Sequence, residues 1–128
     1  WQHVLEPLSG YLELGKFLSK NNFNSNELGG NSFNFGPKQI DTISVEDVIT
    51  KFSSTWSNAK YKVCYNSEFE EAGLLNLSCD KATKILCWEP RLRIKDALQI
   101  TSNWYQEQFQ KKKMYDFTIS QIEKFFDS

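Results

Sequence analysis

The first twenty residues, WQHVLEPLSGYLELGKFLSK (Trp1 to Lys20), carry the reading on which the fold turns. Leu8, Tyr11, Leu12, Gly15 and Leu18 recur at helical spacing, so residues 7 to 20 are predicted to form an amphipathic helix with that stripe against the core. Pro7 suits the first helical position, where its lost N–H has no intrahelical acceptor and its fixed φ matches the helix. Gly15 lies on the apolar stripe, a placement best tolerated where another backbone packs close. The stretch opens on Trp1 with no initiator methionine and holds the single histidine, His3. It reads as an interior junction of a longer chain rather than as a start.

Downstream, the polar run 21–31 is a loop, and SFNFGP (32–37) alternates Phe33 and Phe35 before a Gly-Pro stop, the pattern of a short strand. Ser44 and Asp47 form a capping box, with Ile43 and Val48 as its staple, ahead of a helix burying Val45, Val48, Ile49, Phe52 and Trp56. YKVCY (61–65) alternates like a strand, and Leu74 to Leu77 form a further extended segment. Asp80 caps a short helix ending at Leu86. After Trp88-Glu89-Pro90 a longer helix sets Ile94, Ala97, Leu98, Thr101, Trp104, Tyr105 and Phe109 on one side, with Trp88, Trp104 and Tyr105 in the core. Lys111, Lys112 and Lys113 follow as a solvated helix end. A last helix begins at Thr118, capped through Gln121, and buries Ile119, Ile122, Phe125 and Phe126. About five helices with three or four short strands and no βαβ regularity give an α+β fold. All 128 residues form a single domain.

Composition narrows the function. An apolar content of 40% with 15% aromatics supports a core, while a formal charge of −1 supplies no basic field for nucleic acid and no signal for a membrane partner. No apolar run approaches the roughly 20 residues needed to span a bilayer. Cys64, Cys79 and Cys87 form no C-x-x-C pair, so no metal site is expected, and reduced thiols suit a cytoplasmic protein. None of the five tyrosines has a lysine four residues on, and the glycines make neither G-x-G-x-x-G nor a P-loop. There is no G-x-S-x-G, so any nucleophilic scheme would rest on His3 alone. Glu68, Glu70 and Glu71 cluster in a polar stretch that reads as solvated. No self-contained active site is visible, and no catalytic residue is assigned.

Three stretches together resemble one family. WQHVLEPLSGYL looks like the segment leading into the C-terminal lobe of CDP-glucose 4,6-dehydratases, extended short-chain dehydrogenase/reductases that typically carry Arg-Pro before this tryptophan. FNFGP (33–37) resembles that family's asparagine-bearing strand end. EEAGLLNLSCDKATKILCWEPRLRIKDALQITSNWY (70–105) resembles a segment containing K-A-x-x-L-G-W-x-P and closing on Trp-Tyr, a mark of the wider superfamily. The likeness reaches from Trp1 to about Tyr105. Cys87 stands where the family has glycine, at a position asking for a left-handed backbone, Asp80 replaces a common serine, and Glu70 stands where the dehydratases often have histidine.

The resemblance implies a small C-terminal substrate-binding lobe without its Rossmann lobe. The family's reaction uses bound NAD to oxidise C4 of the glucosyl ring, removes water across C5 and C6, and returns the hydride to C6, giving CDP-4-keto-6-deoxyglucose. The NAD-binding glycines, the Tyr-Lys pair and the acid/base carboxylate would belong upstream of Trp1. This chain alone is therefore expected to bind no NAD and to turn over nothing. Implied partners are CDP-glucose, the Rossmann lobe, and further copies of a homo-oligomeric full-length enzyme. Residues expected to hold substrate are Trp1, Gln2, His3, Asn34 and Glu71. For His3 the alternative is a packed, hydrogen-bonded histidine, for Trp1 a place in the lobe interface, and for Asn34 a hold on loop backbone. Competing readings are a lobe of another sugar-nucleotide epimerase or reductase and a stand-alone, non-catalytic binding module. Because a partner lobe should normally cover one side, the isolated chain is expected to expose an apolar patch near Trp1 and to self-associate.

Overall fold

A computed structural model describes residues 1–20, 32–56, 59–64, 76–110 and 113–127. Five α-helices run in order: α1 (Leu5–Lys20), α2 (Val45–Thr55), α3 (Asp80–Leu86), α4 (Ile94–Phe109) and α5 (Met114–Asp127), with one 3-10 turn at Gln39–Asp41. Helix α1 packs on α3, α2 on α4, and α4 on α5. No residue among those described is in a strand, so the expected α+β class is corrected to an all-helical one.

The strand expectations fail for a reason visible at 32–37. Alternation there reflects Phe35 entering the cluster of Ala82, Leu86 and Trp88, with Phe33 half-buried beside it, and not a sheet. The backbone groups that a ladder would pair are met by side chains: Gln2 Nε2 donates to the Phe35 carbonyl (2.9 Å), and the Gly36 N–H donates to Cys79 Sγ (3.0 Å). Residues 61–64 are exposed and irregular, while Tyr65 and Leu74–Leu75 lie outside the described residues.

Helix α1 corrects the sequence reading most sharply. Its predicted core stripe faces outward, with Leu8, Tyr11 and Leu12 exposed by 44%, 60% and 56%, and a Cβ at Gly15 would meet nothing within 4 Å. The buried face is Leu5, Glu6, Ser9 and Gly10. Small residues on that face admit the aromatic pair Phe35 and Trp88, whose rings meet edge to face at 5.0 Å. Gly10, not Gly15, is the close approach, since a Cβ there would stand 2.3 Å from Phe35 Cδ1. Polar groups on the same face are all engaged. Trp88 Nε1–H donates to Ser9 Oγ (2.8 Å), and Ser9 Oγ–H donates to the Glu6 carbonyl (2.7 Å). The Glu6 carboxylate, 1% exposed, accepts the Arg91 N–H at 3.0 and 3.2 Å and the Leu92 N–H at 2.7 Å, fixing the turn between α3 and α4. The helix also begins at Leu5, so Pro7 is its third residue, still within the first turn, whose N–H groups have no intrahelical acceptor.

Elsewhere, local signals hold where they are satisfied locally. Ser44 and Asp47 form the reciprocal capping box of α2. Cys87 takes the left-handed turn after α3 at φ 55°, ψ 29°, letting the Trp88 N–H reach the Ala82 carbonyl (3.3 Å). Asp80 is the first residue of α3, and the capping position is Cys79, which makes no side-chain cap. Asp41 caps α4 from a distance, accepting from the Ile94 N–H (3.2 Å) and from Arg93 Nε (2.9 Å). Helix α5 starts at Met114, so Thr118 and Gln121 are interior and act as docking groups. Trp104 Nε1–H donates to Thr118 Oγ1 (2.9 Å), and Gln121 Nε2 donates to the Ile100 carbonyl (3.0 Å). Phe125 is buried as expected, whereas Ile119 and Phe126 are exposed, and of the predicted α2 face Val45 is exposed while the other four are half-buried.

Two stability measurements follow. Glu6→Ala strands two partly buried N–H donors and is expected to lower the urea-unfolding free energy by about 1–3 kcal/mol, whereas Glu13→Ala, which loses only a surface pair with Lys16, should stay within about 0.5 kcal/mol of the parent. Equal losses would show that the Glu6 clamp is inert. Cys87→Gly relieves a left-handed backbone at a Cβ-bearing residue and should raise stability by about 0.5–1 kcal/mol, net of the extra freedom glycine gives the unfolded chain. No rise would argue against strain there.

Candidate functional site

Residues 1–3 lead into α1, and two of them are fixed before the helix begins. Gln2 is held through its amide nitrogen on Phe35, and its Oε1 is buried without a hydrogen-bond partner among the described residues. His3 is buried, and its Nδ1 accepts the Leu5 N–H (3.3 Å) while its carbonyl accepts the Glu6 N–H (3.0 Å). The imidazole thus caps the start of α1. Burial, which disfavours the charged ring, lowers its pKa below the ordinary value of 6.5. A neutral ring whose Nδ1 is an acceptor carries its proton on Nε2, so His3 is a hydrogen-bond donor at that atom.

Gln2 and His3 line a cavity of about 490 Å³ between the start of α1 and the α4–α5 pair. Val4, Leu5, Leu8 and Ile122 supply aliphatic wall, Trp104 and Tyr105 the aromatic wall, and Thr101, Thr118 and Gln121 the remainder. The Trp104 ring is fixed by its bond to Thr118 and meets Tyr105 edge to face at 5.3 Å and 86°. No Lys, Arg, Asp or Glu lines the space. A cavity of ligand size with an apolar and aromatic wall and no charged side chain is suited to an uncharged group rather than to a phosphate.

Of the residues expected to hold substrate, four lie among those described, and two of these share the cavity. Gln2 and His3 share the cavity; Trp1 is exposed and does not line it. Asn34 takes the loop-holding alternative, its Nδ2 donating to the Ser78 carbonyl (3.3 Å), beside a second and more polar cavity of about 440 Å³ lined in part by Gly36, Lys38, Thr83 and Glu89. Glu71, with Glu68 and Glu70, lies outside the described residues. Among the described residues no three His, Cys, Asp or Glu side chains gather as a metal site, and Cys64, Cys79 and Cys87 are free thiols. Tyr105, expected in the core, is 48% exposed at the cavity wall, while Trp88 is core and Trp104 half-buried. Sequence reasoning missed Glu6, Ser9 and the role of Thr118 and Gln121. The available signal was an aromatic pair on one helix opposite a Thr and a Gln spaced for one face of the next.

No protein-family model matches the chain. Over 107 residues, 83% of its length, the chain is 34% identical to the CDP-glucose 4,6-dehydratase of Salmonella typhimurium. It resembles a C-terminal stretch of that dehydratase. The chain spans 29% of the relative's length.

The neutral, buried His3 sets a pH dependence. Its folded pKa lies below the unfolded value, so the unfolded chain binds the extra proton first; stability is complete above about pH 6.5 and falls as the pH drops toward the folded pKa. Urea unfolding from about pH 7.5 to 5 should show this loss in the parent and a flatter profile in His3→Gln. Identical slopes would place the histidine outside the folding linkage.

Proposed function

We propose that this chain is the substrate-side lobe of a sugar-nucleotide dehydratase that converts CDP-glucose to CDP-4-keto-6-deoxyglucose, with NAD and the proton-transfer groups carried by a nucleotide-binding lobe of the full-length enzyme. The observation that carries this reading is the 34% identity over 107 residues to the Salmonella CDP-glucose 4,6-dehydratase. Two features of the chain support it. Its sequence holds no Tyr-x-x-x-Lys pair and no dinucleotide-binding glycines, so chemistry of this class needs a second lobe. Trp1 and Val4 just before α1, with Leu8, Tyr11 and Leu12 on it, are exposed apolar side chains, the kind of surface an adjoining lobe covers.

On this reading the full-length enzyme is a cytoplasmic homo-oligomer, a setting that suits three free thiols. The chain's own residues bind and orient; Gln2 and His3 shape the wall of the α1 cavity, and Asn34 steadies the loop at Ser78. NAD, bound on the other lobe, supplies the hydride chemistry.

A chimera tests the proposal directly. In the Salmonella enzyme the matching stretch is replaced by this chain, and CDP-glucose turnover is followed by mass spectrometry. The chimera is expected to form the 4-keto-6-deoxy product, and the isolated chain none. A folded chimera that leaves CDP-glucose untouched under conditions where the parent consumes it would overturn the reading, as would turnover by the isolated chain.

A further inference from the structure

The outward side of α1 combines exposed apolar side chains, a bare glycine and no charge. Val4, Leu8, Tyr11 and Gly15 follow one another at steps of four, three and four residues, which keeps them on one helical face, and Leu12 lies beside them. Val4 precedes the helix but is in register with it, since its carbonyl accepts the Leu8 N–H (3.4 Å). All four apolar side chains are exposed, and so is Trp1. Glu13, Lys16 and Lys20 recur at i, i+3 and i+7 on a different side of the helix, and Glu13 and Lys16 pair with each other at 2.6 Å. A Cβ added at Gly15 meets nothing within 4 Å, so the helix surface there is open to a close approach. Tyr11 is already held edge to face by Phe35 (5.7 Å), and a contact made on it orders little that is free.

We propose that the isolated chain pairs with a second copy of itself through this face, the two α1 helices meeting antiparallel about a two-fold axis at Leu8. The face is self-complementary in that arrangement. Val4 comes against Leu12 of the second copy, and Trp1 comes over the bare helix surface at its Gly15, these two residues lying equally far from Leu8 on either side. Charge does not oppose the pairing, because no Lys, Arg, Asp or Glu on this face is set against its own copy. Area is sufficient as well. The exposed parts of Trp1, Val4, Leu8, Tyr11 and Leu12 amount to roughly 600 Å² per chain, so a two-fold pair buries about 1,200 Å² in all, the lower limit for a stable interface. The pairing stands independently of the sugar-nucleotide reading. In a full-length enzyme an adjoining lobe takes the same face, so lobe docking and pairing exclude each other.

Sedimentation velocity on the full chain over a concentration series tests the pairing. A monomer–dimer equilibrium is expected, with a dissociation constant on the order of 10 μM for an interface of this size. Gly15→Gln separates pairing from folding. Replacing glycine inside a helix at an open position should raise the melting temperature of the monomer, while the added side chain fills the approach and weakens the dimer about tenfold or more. Leu8→Glu sets two like charges at the two-fold axis and should leave a folded monomer at every concentration. Ile40→Glu, at an exposed apolar residue outside the face, should pair like the parent. A parent that stays monomeric overturns the inference, as does an open series of larger species, a dimer left intact in folded Gly15→Gln and Leu8→Glu, or an equal loss in Ile40→Glu. The chimera keeps this apart from the proposed function. If the chimera turns over CDP-glucose and the isolated chain is monomeric, the function stands and the pairing fails. If the isolated chain pairs through α1 and a folded chimera is inactive, the pairing stands and the function fails.

Discussion

One buried carboxylate orients this fold. Glu6 sits in the first turn of α1, is almost wholly out of water, and spends both oxygens on the backbone N–H groups of Arg91 and Leu92, some 85 residues away in sequence. A carboxyl group removed from water must find compensating donors, and the turn between α3 and α4 supplies them. That requirement decides which face of α1 turns inward. Ser9 and Gly10 then fall opposite Trp88 and Phe35, and the leucine-rich stripe is left outside. Hydrophobic periodicity alone predicts the opposite orientation; the electrostatic constraint wins because stranding a buried carboxylate and two amides costs more than leaving a few leucines wet.

The same arrangement builds the candidate site. With α1 fixed by Glu6, its first turn is capped by His3, and the cap sets the tautomer and position of the imidazole. The α4–α5 pair closes the other side through Trp104 to Thr118 and Gln121 to Ile100. The cavity is thus a consequence of two independent docking events, one polar clamp at each wall. Its outer rim is the exposed stripe of α1, so the surface that suits a neighbouring lobe and the space that suits an uncharged group are continuous.

What could be read from the sequence was what the chain satisfies locally. The Ser44–Asp47 box and the left-handed turn at Cys87 each depend on residues within a few positions, and both are present. The misreadings share the opposite cause. Phe33 and Phe35 alternate like a strand, yet the Phe35 carbonyl and the Gly36 N–H are met by Gln2 and Cys79, distant side chains that no local pattern announces. Thr118 and Gln121 have the spacing of a cap but serve as interhelical donors and acceptors. Glu6 draws no reading from the sequence, and only the folded chain reveals the amides that it accepts from. Of the expected substrate residues, Gln2 and His3 converge because they are neighbours, whereas Asn34 is drawn off to Ser78 by the loop it holds.

Amide hydrogen exchange at Arg91 and Leu92 tests the Glu6 constraint most directly, because both N–H groups lie outside any helix and owe their protection to that one carboxylate. If Glu6 orients α1, both amides exchange as slowly as those of buried α4 residues such as Ala97 and Leu98. Exchange at the rate of an open loop, while α1 and α4 remain protected, would contradict it.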